Sequence, residues 1–161
     1  MKNGQILEIM KIMKKQINNI GKPVDFCIVG TGNIAIRHLN NIKKIFCQQP
    51  IAIIKRSINK TNKIKINKFV SIINDIDDIE AKNKNSIALI CSPATFHIND
   101  AIIFAKKGFN LFIEKPLTLN LSEYKKLYKI LLEKKLKILV GYNMRFTDRL
   151  IYLKKIINEG K

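Results

Sequence analysis

A chain of 161 residues, 47% of them hydrophobic, is long enough for one domain with a sizeable core, which excludes global disorder. Lysine and arginine number 30 against 12 acids, a formal charge of +18, but the lysines are spread along the whole chain without a basic arm, zinc-finger spacing, RNA-binding aromatic signature or basic zipper. We therefore read the charge as compositional bias: no specific nucleic-acid partner is expected, only weak, salt-sensitive binding to polyanions.

Ile6, Ile9, Met10, Met13 and Ile17 recur at helical spacing, which predicts an amphipathic amino-terminal helix over residues 4–19, ended by Gly21-Lys22-Pro23. We read it as packed on its own domain; the alternatives are an oligomer contact or a membrane-surface helix. Lys11, Lys14 and Lys15 interrupt it, so it is no signal sequence, and no run is long enough to span a membrane. The cysteines Cys27, Cys47 and Cys91 are odd in number and lack C-x-x-C spacing. Cys27 and Cys91 lie in apolar, strand-like runs as small buried hydrophobes, which suits a reducing compartment, and a cytoplasmic location is expected.

Strands and helices then alternate. Strands are predicted at residues 24–29, 51–55, 69–72, 86–91, 110–113 and 137–140. Helices are predicted at 33–46, 75–82, 95–107, 121–134 and 147–158, with a short lysine-rich one at 59–67. Asn74 is the expected N-cap of the 75–82 helix, with Asp77 and Asp78 near its positive end. Capping explains these aspartates more cheaply than metal ligation, and no metal site is expected. Gly108 closes the 95–107 helix, and Asn120 or Ser122 begins the 121–134 helix. The alternation predicts an α/β fold, a doubly wound parallel sheet with crossovers on both faces, whose ligands bind at the carboxyl ends of the strands.

The residues at those ends carry the chemistry. Gly30-Thr31-Gly32-Asn33-Ile34-Ala35 follows the first strand and opens a helix. A G-x-G-x-x-A turn lets backbone N–H groups approach a pyrophosphate, helped by the positive end of the helix dipole. Gly30 supplies the turn, Gly32 removes a Cβ that would block the phosphates, and Ala35 lets helix pack on strand. The bland alternative is a tight strand-to-helix turn with no ligand. After the second strand, where an NAD site places an acid for the ribose, stand Lys55-Arg56-Ser57. Two cations and a hydroxyl suit a 2′-phosphate, so NADP is favoured over NAD; the alternative is a solvated loop. Ser92-Pro93-Ala94-Thr95-Phe96-His97 follows the fourth strand and Glu114-Lys115-Pro116 the fifth. A lone His38 or His97 on a helix is more often packed or capping than catalytic, and Glu114-Lys115 taken alone is a polar turn.

Together these motifs give the chain a specific likeness. Gly30 to Ala35 with Arg37-His38, Cys91-Ser92-Pro93 with His97, Glu114-Lys115-Pro116-Leu117, and Gly141-Tyr142-Asn143-Met144-Arg145-Phe146 stand in the order found in the glucose–fructose oxidoreductase, inositol dehydrogenase and MocA family (Gfo/Idh/MocA). The chain resembles the amino-terminal domain of that family over residues 24 to about 150. The resemblance implies a Rossmann domain for a nicotinamide dinucleotide and hydride transfer at a hydroxyl or keto carbon of a sugar, nucleotide sugar or cyclitol. It implies that Lys115 is catalytic, beside the nicotinamide ribose and the substrate hydroxyl, and that Pro116 shapes its turn, often through a cis peptide. Cofactor contacts are implied for Gly30, Thr31, Gly32, Asn33, Ile34, Arg56, Ser57, Ser92, Pro93, His97, Glu114, Lys115, Asn143 and Arg145. The expected organisation is an amino-terminal helix at 1–21, the dinucleotide-binding domain at 22–146, and a helix at 147–161 leading toward the second α/β domain that family members carry and this chain lacks. That second domain, or self-association, is the expected partner. The alternative function is a dinucleotide-binding module without independent catalysis: a truncated, decayed or split enzyme.

Overall fold

The computed structural model describes residues 22–46, 48–55, 64, 66–142 and 147–160. The amino-terminal helix expected at 4–19 and most of the 59–67 segment lie outside them. The described chain contains β1 (Lys22–Val24), β2 (Phe26–Val29), α1 (Asn33–Ile45), β3 (Ile51–Ile54), β4 (Val70–Ile73), β5 (Ile79–Ala81) and β6 (Ile87–Ile90). It continues through α2 (His97–Lys106), β7 (Asn110–Ile113), α3 (Leu121–Glu133), β8 (Ile138–Val140) and α4 (Asp148–Asn158).

Six strands form one parallel sheet in the order β4-β3-β2-β6-β7-β8. Counting only these strands in chain order, this is 3-2-1-4-5-6, the doubly wound arrangement, with its switch point between β2 and β6. The strands read as continuous Ile, Val and Ala runs because parallel strands are buried on both faces. Alternate residues divide them between two cores. Cys27, Val29, Ala52, Ile54, Ala88, Ile90, Leu111 and Ile113 face α2 and α3, where Phe104, Leu127 and Leu131 cover them. Phe26, Ile28, Ile51, Ile53 and Leu89 face α1, which presents Ala35, Leu39 and Ile42 at helical spacing. α1 serves the β2–β3 half of that face. The β6–β8 half, with Ile87, Phe112, Ile138 and Leu139, lines an open groove of about 860 Å³ rimmed by Lys84, Lys135 and Lys137.

Local chemistry sets the helix ends. Asn120 caps α3, its side chain accepting from the Ser122 N–H at 2.9 Å. Gly108, at φ +86°, ends α2 in the left-handed conformation that favours glycine. The helix expected at 75–82 is corrected: there is a short 3-10 turn, Ile76–Asp78, followed by β5, which pairs with β1 in a separate parallel two-stranded sheet. The cap is Asp75 rather than Asn74, accepting from the Asp77 N–H at 2.9 Å. Ile79, fully buried against the first core, makes the segment a strand.

Candidate functional site

The switch point brings four segments together. Gly30 leaves β2 at φ +113°, and its N–H donates to the Ile54 carbonyl at 3.0 Å. A Cβ on Gly30 would lie 2.8 Å from the backbone oxygen of Cys91, so the ends of β2 and β6 pass too closely for a side chain. Gly32 differs in kind. Its φ of −74° and ψ of 178° suit any residue, and a Cβ there meets nothing within 4 Å. The fold makes no demand for glycine at 32, whereas an anion approaching the backbone does. As the N-cap of α1, Gly32 offers no side-chain hydrogen bond, and the first turn holds no acid. The positive end of a helix of 13 residues is thus left bare, beside buried Thr31 and the exposed Gly32 and Asn33. These residues fit a dinucleotide: the open space at Gly32 is the cradle a Cβ would fill, and the uncapped turn suits a pyrophosphate.

Across the crevice, the turn after β7 is braced from two sides. His38 Nε2, from α1, donates to Glu114 Oε1 at 2.7 Å, and the His38 ring lies edge-on to Phe112 with centroids 5.0 Å apart. A Cβ on Gly141 would come 3.3 Å from Glu114 Oε2, so the start of the segment after β8 closes over the same carboxylate. Lys115 is exposed at the tip, and the Lys115–Pro116 peptide is cis. From the other side, His97, only 2% exposed, places Nδ1 2.7 Å from the Pro116 carbonyl oxygen and Nε2 2.7 Å from that of Ser92. Ser92 Oγ donates to Asp100 Oδ2 at 2.6 Å, and Asp100 is fully buried.

The expected site residues sort accordingly. Gly30, Thr31, Gly32, Asn33, Ile34, Ser92, Pro93, Glu114 and Lys115 all stand at the carboxyl ends of β2, β6 and β7. His97 stands there too, but both its ring nitrogens lie against protein carbonyls. Arg56, Ser57, Asn143 and Arg145 lie outside the described residues. Sequence reasoning missed the roles of His38, as the partner of Glu114, and of Asp100, as the partner of Ser92. The available signal for Asp100 was a lone carboxylate amid Ile98, Ala101 and Ile102 at the start of an apolar helix.

Burial, with the Glu114 carboxylate second, pushes the Cys91 thiol up to about 12, and burial alone pushes Cys27 far above its ordinary range. Both are inert hydrophobes, as expected. Among the described residues no cluster of three or more His, Cys, Asp or Glu side chains is placed to hold a metal, and no helix is long and apolar enough to cross a membrane.

A 3-2-1-4-5-6 parallel sheet with a glycine turn and a bare helix end at its switch point defines a Rossmann dinucleotide-binding domain. Residues 24–142 match the family described as "Oxidoreductase family, NAD-binding Rossmann fold", known as Gfo/Idh/MocA, and the chain belongs to it. Inositol 2-dehydrogenase of Rhizobium meliloti is 32% identical over 89 residues, covering 55% of this chain and 27% of that protein. The structure of scyllo-inositol dehydrogenase from Lactobacillus casei, with bound NAD(H) and scyllo-inositol, superposes with a TM-score of 0.65 at 23% identity, covering 86% of this chain and 41% of that one. The WlbA dehydrogenase of Bordetella pertussis, in complex with NADH and UDP-GlcNAcA, gives 0.68 at 19% identity over 88% and 43%. These two structures share the fold. The chain spans between 24% and 40% of the length of the curated relatives it matches.

Proposed function

We propose that this domain binds a nicotinamide dinucleotide, NADP in preference to NAD, and serves hydride transfer at a hydroxyl or keto carbon of a sugar, nucleotide sugar or cyclitol. The observation that carries the reading is the bare glycine turn of α1 facing the braced Glu114-Lys115-Pro116 turn across the switch crevice. The cofactor, when bound, supplies or accepts the hydride. Gly32 leaves room for its phosphates, and Lys55, Arg56 and Ser57 supply the cations and hydroxyl that favour a 2′-phosphate. Lys115 is the acid/base: as a substrate alcohol is oxidised, its hydroxyl proton passes to the neutral amine, and in reduction the ammonium returns it. Glu114, held by His38, keeps the start of this turn in place.

The second reading is a dinucleotide-binding module without independent catalysis. A second α/β domain, or another copy, then completes the site, and a cytoplasmic setting suits the buried thiols. Titrating the chain with NADPH and NADH by nicotinamide fluorescence tests the proposal. Saturable binding of NADPH, lost preferentially in Arg56→Glu, is expected. Binding of neither overturns the dinucleotide reading, and preference for NADH overturns the choice of NADP. Turnover of candidate sugars with and without a supplied carboxy-terminal domain separates enzyme from module.

A further inference from the structure

We infer that His97 is held as a doubly protonated imidazolium that ties the Ser92–Pro93 turn to the Lys115–Pro116 turn, making it a positioning residue for Lys115 rather than a contact of the cofactor. The ring's two nitrogens face the backbone oxygens of Pro116 and Ser92, each at 2.7 Å. Carbonyl oxygens only accept. A neutral imidazole donates from one nitrogen and presents a lone pair at the other, so a neutral ring would press a lone pair against a carbonyl at hydrogen-bond distance. With the ring 2% exposed, solvent offers little relief from that repulsion. Only the imidazolium satisfies both contacts.

A buried cation needs a counter-charge. Asp100 is the acid the same helix places for that role: it is fully buried, one helical turn further along α2, and it accepts from the hydroxyl of Ser92, the residue whose carbonyl His97 holds. On the elements joined here the charged groups are thus Asp100 and, in the last turn, Lys106 on α2, and Glu114 and Lys115 on the turn after β7. The cluster links the end of β6, the start of α2 and the end of β7 through one ring. The carbonyl it grips at Pro116 is next in the chain to Lys115, so the ring fixes the backbone from which the lysine reaches. This consequence for Lys115 rests on the proposed dinucleotide function; the protonation state does not.

The chain has only two histidines, which makes the state directly observable. In chain labelled with 15N-histidine, long-range nitrogen–proton correlation should show one ring, absent from His97→Gln, with protons on both nitrogens at neutral pH and slow exchange with solvent. A single protonated nitrogen on that ring overturns the inference without any variant having to fold. For positioning, wild type and His97→Gln are titrated with NADH and with ADP-ribose, which lacks the nicotinamide. With the Ser92 and Pro116 carbonyls no longer tied, the backbone of the turn shifts as a whole beside the nicotinamide, so the variant should bind NADH about tenfold more weakly, the scale of one charge-assisted hydrogen bond, and ADP-ribose nearly as wild type does. Equal effects on both ligands, or none, overturn the positioning role. Failure of wild type to bind either ligand sinks the dinucleotide reading and, with it, the consequence for Lys115, while the protonation result stands.

Discussion

Gly30 and Gly32 sit two residues apart in one motif, yet the structure gives them opposite reasons for being glycine, and alanine at each separates fold from function. At Gly30, φ is +113° and the new Cβ would lie 2.8 Å from Cys91 O, a backbone atom in the neighbouring strand that cannot swing away. An L-residue forced to positive φ costs about 1–2 kcal/mol. Overpacking against fixed atoms adds about 1–3 kcal/mol, so Gly30→Ala should lose roughly 2–5 kcal/mol, a large share of the stability of a domain this size. At Gly32, φ is −74° and the added atom meets nothing within 4 Å. Alanine there restricts the unfolded chain without straining the folded one and should leave stability unchanged or raise it by about 0.4–1 kcal/mol. It should nevertheless remove dinucleotide binding, because the methyl group enters the space kept for phosphate. Urea unfolding followed by circular dichroism measures the first quantity, and calorimetric titration with NADPH and NADH the second. Wild-type stability in Gly30→Ala would refute the strain argument. Wild-type affinity in Gly32→Ala would show that the open space at the helix end serves no phosphate.

Lys115→Ala should leave cofactor affinity and melting temperature nearly intact, since the side chain is exposed, but slow turnover by the active enzyme about 10²–10⁴-fold. Lys115→Arg should rescue little, because guanidinium keeps its proton; full activity in Lys115→Ala would remove the lysine from the chemistry. Cys27 and Cys91 should resist iodoacetamide in the folded chain and react on unfolding, as read by peptide mapping. Their thiols titrate higher when folded than when unfolded, so ionisation favours the unfolded chain and stability should fall as pH rises above about 8.5. Urea midpoints that stay level through that range, against a Cys27→Ala, Cys91→Ala control, would contradict this.

Much of the fold was legible because its signals are local. Parallel strands buried on both faces announce themselves as short apolar runs, and all six strands of the main sheet were found this way. The failure at residues 75–82 is instructive. Capping chemistry was present, but it served a 3-10 turn at Ile76–Asp78, and the next residues form a strand because Ile79 pairs with Lys22, far away in sequence. The site shows the same division. Glycine needs were visible because backbone conformation is written at one position. The grip of His38 on Glu114, 76 residues distant, and of His97 on Pro116, 19 residues distant, exists only after the sheet has assembled.

The outer strand β8 carries a consequence of its own. Among the described residues it pairs only with β7, and Ile138 and Leu139 stand exposed beside open backbone groups. Such an edge is a template on which another chain can add a strand. Lys134, Lys135 and Lys137 stand immediately before it. The lysine excess that says nothing specific about partners is thus expected to act as a colloidal guard, holding identical edges apart by repulsion that salt can screen. Light scattering should therefore rise with ionic strength in the wild type, and at low salt once these three lysines are replaced by glutamine. A chain that stays monodisperse in both cases would show the edge to be harmless without its charges.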